Sequence, residues 1–340
     1  MGKVYLTIVI SFFILVITNI IFGGLTIYAW ITEGIDAILL DEELGSRILD
    51  SIYIKWILLA DAIWILVAIS FAVKRKHYKT NPQFHYLKNN KIEDPKICVI
   101  LPTYNEEKNI SKIISDFKKQ ENVQEIIVVD NHSTDKTVDI AKEHNITIIE
   151  KESNKGYAHS CRLGFLEFLK TDSNIVVLTD SDDTFSADDL SKMIPYLDNC
   201  DMVIGTRQVQ ILTEKGNQNS MFYVWGNLFL AKLLQIKYFS LLHMGVAQLT
   251  DVGCSYRCIR RESIEKIKEK IENPKDKSVL DANGWLFTIY LTMLGIENDL
   301  KIVEVPITFK KRIGESKSQA SKKTKGIVYG LRFMWYILKS

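Results

Sequence analysis

NIVVLTDSDD, residues 174–183, is the stretch that decides the fold. Asn174 to Leu178 is a short apolar run rich in β-branched residues, the composition of a central parallel strand buried on both faces. The run stops at Thr179 and delivers Asp180, Asp182 and Asp183. In open α/β sheets, ligands bind beyond the carboxyl ends of the strands. Acids at alternate positions there can hold a hard divalent cation through oxygen and leave coordination sites for a diphosphate. A turn whose acids cap a helix over Ala187–Leu197 is the competing reading, and this stretch alone does not separate the two.

From Ile97 onward, apolar runs alternate with helical patterns, which implies an α/β domain with a mostly parallel, helix-covered sheet. Besides 174–178, strands are expected at Ile97–Leu101, Glu125–Val129, Thr147–Ile149 and Asp201–Ile204. Helices are expected at Glu106–Lys119, Lys136–His144, Ala158–Leu169 and Ala187–Leu197. Three strand ends carry polar residues that can converge on one crevice: Pro102-Thr103-Tyr104-Asn105-Glu106, Asp130-Asn131 and Asp180-Ser181-Asp182. No GxGxxG follows the first strand and no P-loop occurs, so the domain is not a nicotinamide-dinucleotide fold. Glu106 and Glu107 fall in the first expected helical turn, where they suit the helix dipole but repel a pyrophosphate. A nucleotide would be held here by its base and ribose, with its phosphates on a metal.

The 340 residues carry a formal net charge of +2, which leaves no general nucleic-acid footprint. No charged residue lies between Lys3 and Glu33, and Val4–Trp30 is long enough to cross a bilayer. The run is too long for a signal peptide, and no small-residue cleavage site follows it. A second apolar stretch, Ile52 to Val73, contains Lys55 and Asp61. Lys55 can snorkel to the interface, whereas the deeper Asp61 costs about 3 kcal/mol unless it is paired or protonated. Pairing with polar groups of the first span is the preferred expectation, ahead of a lipid-headgroup contact.

The loop between the spans is acidic, and Lys74, Arg75, Lys76, His77 and Lys79 follow the second. The positive-inside rule then puts both ends of the hairpin, and everything after residue 74, on the cytoplasmic side of the cell membrane. Five cysteines without disulfide spacing agree with a reducing compartment, and Cys254 and Cys258 lack the partners of a zinc site. Met221–Gly245 is apolar and aromatic. A crossing there would separate Arg257 and Lys317 from Asp180, so interfacial amphipathic helices are expected at 219–245. The expected domains are two transmembrane helices at 1–74, a linker at 75–96 and a cytoplasmic catalytic domain at 97–318. The segment 319–340 is expected to be amphipathic or the start of a further membrane-proximal element.

The motifs VILPTYNEEKNI (99–110), EIIVVDNHSTDKT (125–137), the Asp-x-Asp at 180–182 and DMVIGTR (201–207) together resemble family-two glycosyltransferases of the GT-A fold, a Rossmann-like arrangement. TDVGCSYR (250–257) and VEVPITFKKRIGESKS (303–318) are similar to the dolichol-phosphate mannose synthase and polyprenyl-phosphate glycosyltransferase branch. Each motif is weak alone; their order over residues 97–318 makes the resemblance specific. It implies inverting, metal-dependent transfer from a UDP- or GDP-sugar to an undecaprenyl- or dolichyl-type phosphate. The implied cofactor is Mg²⁺ or Mn²⁺. Membrane lipids are implied partners, and homo-oligomer contacts stay open.

The resemblance also implies residue roles. Pro102, Tyr104, Glu106, Asp130 and Lys155 surround the nucleotide sugar, with Asp130 on the base. Asp180 reaches the ribose or the metal, and Asp182 binds the metal. Relatives place a Gln two positions after the second acid; here Thr184 stands there, which leaves a third protein ligand unassigned. Arg257, Arg312, Ser316 and Lys317 are assigned to the lipid phosphate, and Asp182, Asp251, Arg207 and Arg257 to catalysis. Arg207 and Arg257 are each read as ending a strand-like motif. Lys310, Lys311, Lys322 and Lys323 are read as solvated or headgroup cations. In relatives acting on hydroxyls, an acid near Asp251 serves as general base; with a phosphate acceptor it would orient Arg257 or the sugar. Transfer to a hydroxyl lipid, or a non-catalytic scaffold, are the alternatives. Processive polysaccharide synthesis is disfavoured because the Gln-x-x-Arg-Trp signature is missing.

Overall fold

The computed structural model describes residues 2–40, 52–74, 90–215, 221–239, 248–281, 286–312 and 323–340. The expected linker therefore lies outside the described residues up to position 89. The chain divides into two compact units, Met1–Lys76 with Trp335–Ser340, and His77–Met334.

In the first unit, α1 (Gly2–Leu40) and α2 (Ile52–Lys74) pack on each other. The stretches Val4–Thr32 and Ile52–Val73 are long and apolar enough to cross a membrane. Their ring pairs run in opposite directions along the two helices: Tyr5 on Phe71, Phe12 on Trp64 and Phe22 on Tyr53. Asp61 accepts a hydrogen bond of 3.0 Å from Asn19 Nδ2, so the deep acid has a partner in the first span.

The second unit is built on a seven-stranded sheet in the order β3-β2-β1-β4-β6-β5-β7. The strands are β1 (Ile97–Thr103), β2 (Val123–Asp130), β3 (Thr147–Glu150), β4 (Ile175–Leu178), β5 (Met202–Thr206), β6 (Arg257–Arg260) and β7 (Ile302–Pro306). β1 is buried along its whole length and so is β4, as their unbroken apolar runs require. β6 alone runs antiparallel, to both β4 and β5. It departs from a wholly parallel layout and keeps β5 and β7 parallel to the rest.

The helices of this unit are α3 (Ile110–Lys118), α4 (Thr137–Lys142), α5 (Tyr157–Phe168), α6 (Met221–Tyr238), α7 (Arg261–Glu272) and α8 (Leu286–Glu297). The last helix, α9 (Lys323–Lys339), belongs to it as far as Met334. α5 packs on β1 and β2, where Phe165 and Phe168 are fully buried, each contributing roughly 1.5–3 kcal/mol. Gly164 makes that approach possible, since a Cβ there would lie 2.3 Å from Ile100 Cγ2. α3 starts at Ile110, not at Glu106, so Glu106 and Glu107 sit in the loop before the helix. The helix expected at Ala187–Leu197 is a short α-turn, Leu190–Met193, between two 3-10 turns.

Candidate functional site

After β1 the chain builds β2 and β3 on one side and then returns to place β4 on the other. The crevice beyond the carboxyl ends of β1 and β4 is therefore the topological switch point, where α/β sheets bind ligands. Asn105, His132 and Asp183, in the loops after β1, β2 and β4, adopt φ of 53°, 67° and 59°. Left-handed backbone at non-glycine residues costs about 1–3 kcal/mol and persists only where surrounding contacts enforce it.

On the β1–β2 side those contacts are short-range. Asp130 accepts from the backbone N–H of Ser133 at 2.9 Å and from its hydroxyl. Ser133 Oγ in turn accepts from Asn105 N at 2.8 Å, and Asn105 Oδ1 accepts from Thr134 N at 2.8 Å. Glu106 N donates to Thr137 Oγ1. Pro102 lies in β1 beside Val129, and Tyr104 follows that strand, so the expected nucleoside residues Pro102, Tyr104, Glu106 and Asp130 share one rim. The exposed Lys155 joins this network through its backbone N–H, which donates to Asn131 Oδ1 at 3.1 Å. Sequence reading missed Lys151, which is buried and donates to Asn131, Gly156 O and Ser160 Oγ. Burial pushes its ammonium down to about 8.

On the β4 side the contacts are charged. Asp180 Oδ2 accepts from Ser255 Oγ at 2.8 Å. Asp182 Oδ1 accepts from the backbone and hydroxyl of Thr184, at 3.1 and 2.6 Å. Its Oδ2 accepts from Arg312 Nη1 at 2.7 Å, while Arg312 Nη2 donates to Glu106 Oε1 at 2.6 Å. The third donor of this guanidinium, Nε, is buried without a hydrogen-bond partner. Burial, followed by the neighbouring Asp182, pushes the Asp180 carboxyl up to about 6. Residues 308–312 lie along the acid loop: Thr308 N donates to Asp189, Lys310 N donates to Thr184 O, and Lys310 Nζ is 3.2 Å from Asp183. Lys310 is thus an ion-pair partner, not the solvated cation expected.

Arg207, just past β5, is held by Asp251 through Nε at 2.7 Å, Nη2 at 2.8 Å and its backbone N–H at 3.2 Å. Asp251 is fully buried. Burial works to raise its pKa, but Arg207 outweighs burial and holds the carboxyl below its usual value. Burial likewise opposes the charge on Arg207, yet Asp251 keeps that guanidinium firmly protonated. The acid expected to orient Arg257 or the sugar orients Arg207 instead.

Arg257 is a correction. It opens β6 rather than ending a strand, paired with Leu178 on one side and Ile204 on the other. It is fully buried, donates to Cys254 O at 3.1 Å, and burial pushes it down to about 10. A guanidinium enclosed in the middle of the sheet cannot meet a lipid phosphate, so Arg257 leaves both the catalytic and the lipid-phosphate sets. Ser316 and Lys317 lie outside the described residues.

Asp180, Asp182, Arg207 and Arg312 line a single cavity of about 600 Å³, with Tyr157 and Ser255 beside them. From this charged end the wall becomes apolar, through Phe309, Phe222 and Leu230 to Ile327, Leu331 and Phe333. α6 also carries Phe222, Trp225, Phe229 and Ile236 exposed at helical spacing, on one face. Tyr157 and Ser255 were not singled out from sequence, although Ser255 lies inside a quoted motif.

The donor set suits a hard divalent cation. Two carboxylates face the cavity, and the Asp180 carboxyl is pushed up first by burial and then by Asp182, a strain that a bound cation would relieve. Among the described residues no group of three His, Cys, Asp or Glu completes a metal shell. A cation that keeps water and substrate phosphates as its remaining ligands needs only one or two protein carboxylates.

The family model of glycosyl transferase family 2 matches residues 98–268. A polyprenol monophosphomannose synthase of Mycolicibacterium smegmatis is 32% identical over 231 residues, covering 66% of this chain and 81% of that protein. An undecaprenyl-phosphate mannosyltransferase of Micrococcus luteus is 24% identical over 257 residues, covering 72% and 98%. Among solved structures, glucosyl-3-phosphoglycerate synthase of Mycobacterium tuberculosis, in complex with Mn²⁺, UDP and phosphoglyceric acid, aligns with a TM-score of 0.49. Its identity is 16%, over 74% of this chain and 82% of that one.

Proposed function

The chain belongs to glycosyl transferase family 2 and is a glycosyltransferase; from that premise we propose that it moves a sugar from a nucleoside-diphosphate donor to a polyprenyl phosphate. The observation that carries this reading is the cavity that is charged at Asp180, Asp182, Arg207 and Arg312 and apolar towards α6 and α9. An acceptor with a phosphate head and a long hydrocarbon tail matches both ends. The similarity to two polyprenyl-phosphate mannosyltransferases supports the same acceptor.

The nucleoside would rest on Pro102, Tyr104, Glu106 and Asp130, with Lys155 at the edge. Either UDP or GDP suits a carboxylate on the base. Asp180 and Asp182 would hold Mg²⁺ or Mn²⁺, which when bound supplies Lewis-acid stabilisation to the departing diphosphate. Arg312 must leave Asp182 for that, and its guanidinium then becomes available to a phosphate. An oxygen of the acceptor phosphate bonds to the anomeric carbon as the bond to the donor diphosphate breaks, and the nucleoside diphosphate departs with the electron pair. That oxygen is already anionic, so no general base is required. Asp251 is a poor base, buried with both oxygens on Arg207, which argues against a hydroxyl lipid as acceptor. Arg207 stabilises charge developing at the cavity wall.

The hairpin of α1 and α2 would anchor the chain in the cell membrane, with the catalytic unit at 97–318 on the cytoplasmic side. The exposed apolar face of α6 would lie in the lipid interface. The test is a panel of radiolabelled UDP- and GDP-sugars offered with polyprenyl phosphate or with polyprenol. Label entering the organic phase with the phosphate alone is expected. Equal labelling of polyprenol would sink the assignment.

A further inference from the structure

Glu304 lies in the middle of β7, opposite Ile204 of β5, and lines no part of the cavity. An acid in the run IVEVP (302–306) is out of keeping with its apolar neighbours. Burial pushes its carboxyl up, and the nearby Asp251 charge adds to that. Glu304 is half-buried, and an acid so placed destabilises unless its oxygens are used.

Here they are used on one short piece of backbone. Oε2 accepts from Thr250 N at 2.8 Å and Thr250 Oγ1 at 2.7 Å, and Oε1 accepts from Asp251 N at 3.0 Å. Thr250 Oγ1 also lies 2.8 Å from Thr206 Oγ1, on the residue before Arg207. The next residue, Asp251, is the one that grips Arg207 at three donors. An arginine at a cavity wall has long, flexible torsions to restrict before it can act on a phosphate. Its restraint is only as firm as the loop bearing the carboxylate.

We propose that Glu304 is a positioning residue: by clamping the Thr250–Asp251 backbone to β7, it fixes the Asp251 carboxylate and, through it, the Arg207 guanidinium at the cavity wall. This rests on the reading above that Arg207 acts on phosphate charge. Three features favour it over simple strand stability. Among the described residues the carboxylate bonds only to the loop that carries Asp251, it reaches both residues 250 and 251, and an apolar side chain would serve β7 better.

The test is a double-mutant cycle on the full chain, using Glu304→Gln, Arg207→Ala and the pair, with transfer to polyprenyl phosphate as readout. Thermal midpoint and donor-binding stoichiometry are measured on each variant. Glu304→Gln keeps the size of the side chain but turns one acceptor into a donor against a backbone N–H. It should lower kcat about tenfold by misplacing a catalytic cation, with donor stoichiometry unchanged. Arg207→Ala should lower kcat about a hundredfold or more. In the Arg207→Ala background, Glu304→Gln should have less than about a twofold further effect, because its object is gone. Full tenfold losses in both backgrounds, or wild-type kcat in Glu304→Gln alone, overturn the proposal. Undiminished activity in Arg207→Ala overturns the reading of Arg207 itself, and the positioning role with it.

Discussion

The two sides of the crevice are built differently. Beyond β1 and β2, the rim is a lattice of short polar side chains that accept from backbone N–H groups: Asp130 from Ser133, Asn105 from Thr134, Thr137 from Glu106. These partners come from the same loop or from two successive βα loops. Beyond β4, β5 and β7 the structure is a set of ion pairs between distant residues: Arg207 with Asp251, Lys310 with Asp183, and Arg312 with Asp182 and Glu106. A rim tied to its own backbone by hydrogen bonds is firm before any ligand arrives, which would suit recognition of a nucleoside by shape. The charged side can rearrange, because a divalent cation or a phosphate would compete for the same carboxylates and guanidinia.

Substitutions on the two sides should therefore have unlike signatures. The largest effect belongs to Asp182→Ala. Losing the metal's carboxylate should cost about a thousandfold in transfer, since a bound cation supplies several kcal/mol to the transition state. It should also abolish Mn²⁺ binding measured by electron paramagnetic resonance without donor. Mn²⁺ binding that survives the substitution would mean that Asp182 is not a metal ligand and serves only to hold Arg312.

Arg312→Ala comes next and should act in two directions. Acceptor KM should rise about tenfold, the worth of one charge-assisted hydrogen bond, while Mn²⁺ should bind more tightly because Asp182 is released. Lys310→Ala is the control for a general loss of positive charge. If both variants tighten Mn²⁺ equally, direct competition between Arg312 and the cation is refuted. The smallest effect is expected on the hydrogen-bonded side: Ser133→Ala removes the hydroxyl that donates to Asp130 and accepts from Asn105 N, and should raise donor KM about fivefold, with kcat and metal binding unmoved. A fall in kcat there would show that the two sides are coupled rather than separate.

The same contrast separates what is legible in the sequence from what is not. The strands at 97–103, 123–130, 147–150, 175–178 and 202–206 announce themselves through apolar runs, and the polar residues that follow them were found at once. The β1–β2 rim is local, so residue types and spacing nearly suffice to draw it. Glu106 was misplaced into a helix because the chain takes one more turn, tied to Ser133 and Thr137, before α3 begins. β6 and β7 were not read as strands, and two of their three charged residues, Arg257 and Glu304, were misjudged or passed over for one reason. Arg257 looked like a site cation because it closes a motif, and Glu304 drew no attention because it sits in an apolar run. Which strands flank them decides their burial and their partners.

From sequence alone came the α/β domain, the family, the apolar hairpin and the two acids at 180 and 182, because periodicity, strand ends and motif order are properties of neighbours along the chain. Tertiary structure alone decided that Arg257 is enclosed, that Asp251 serves Arg207, that Glu304 holds Asp251, and that Arg312 bridges Asp182 and Glu106. Burial and ion pairing are set by what the fold brings within a few ångströms. Arg312 and Glu106 stand 206 positions apart, and nothing local in either segment records that they meet.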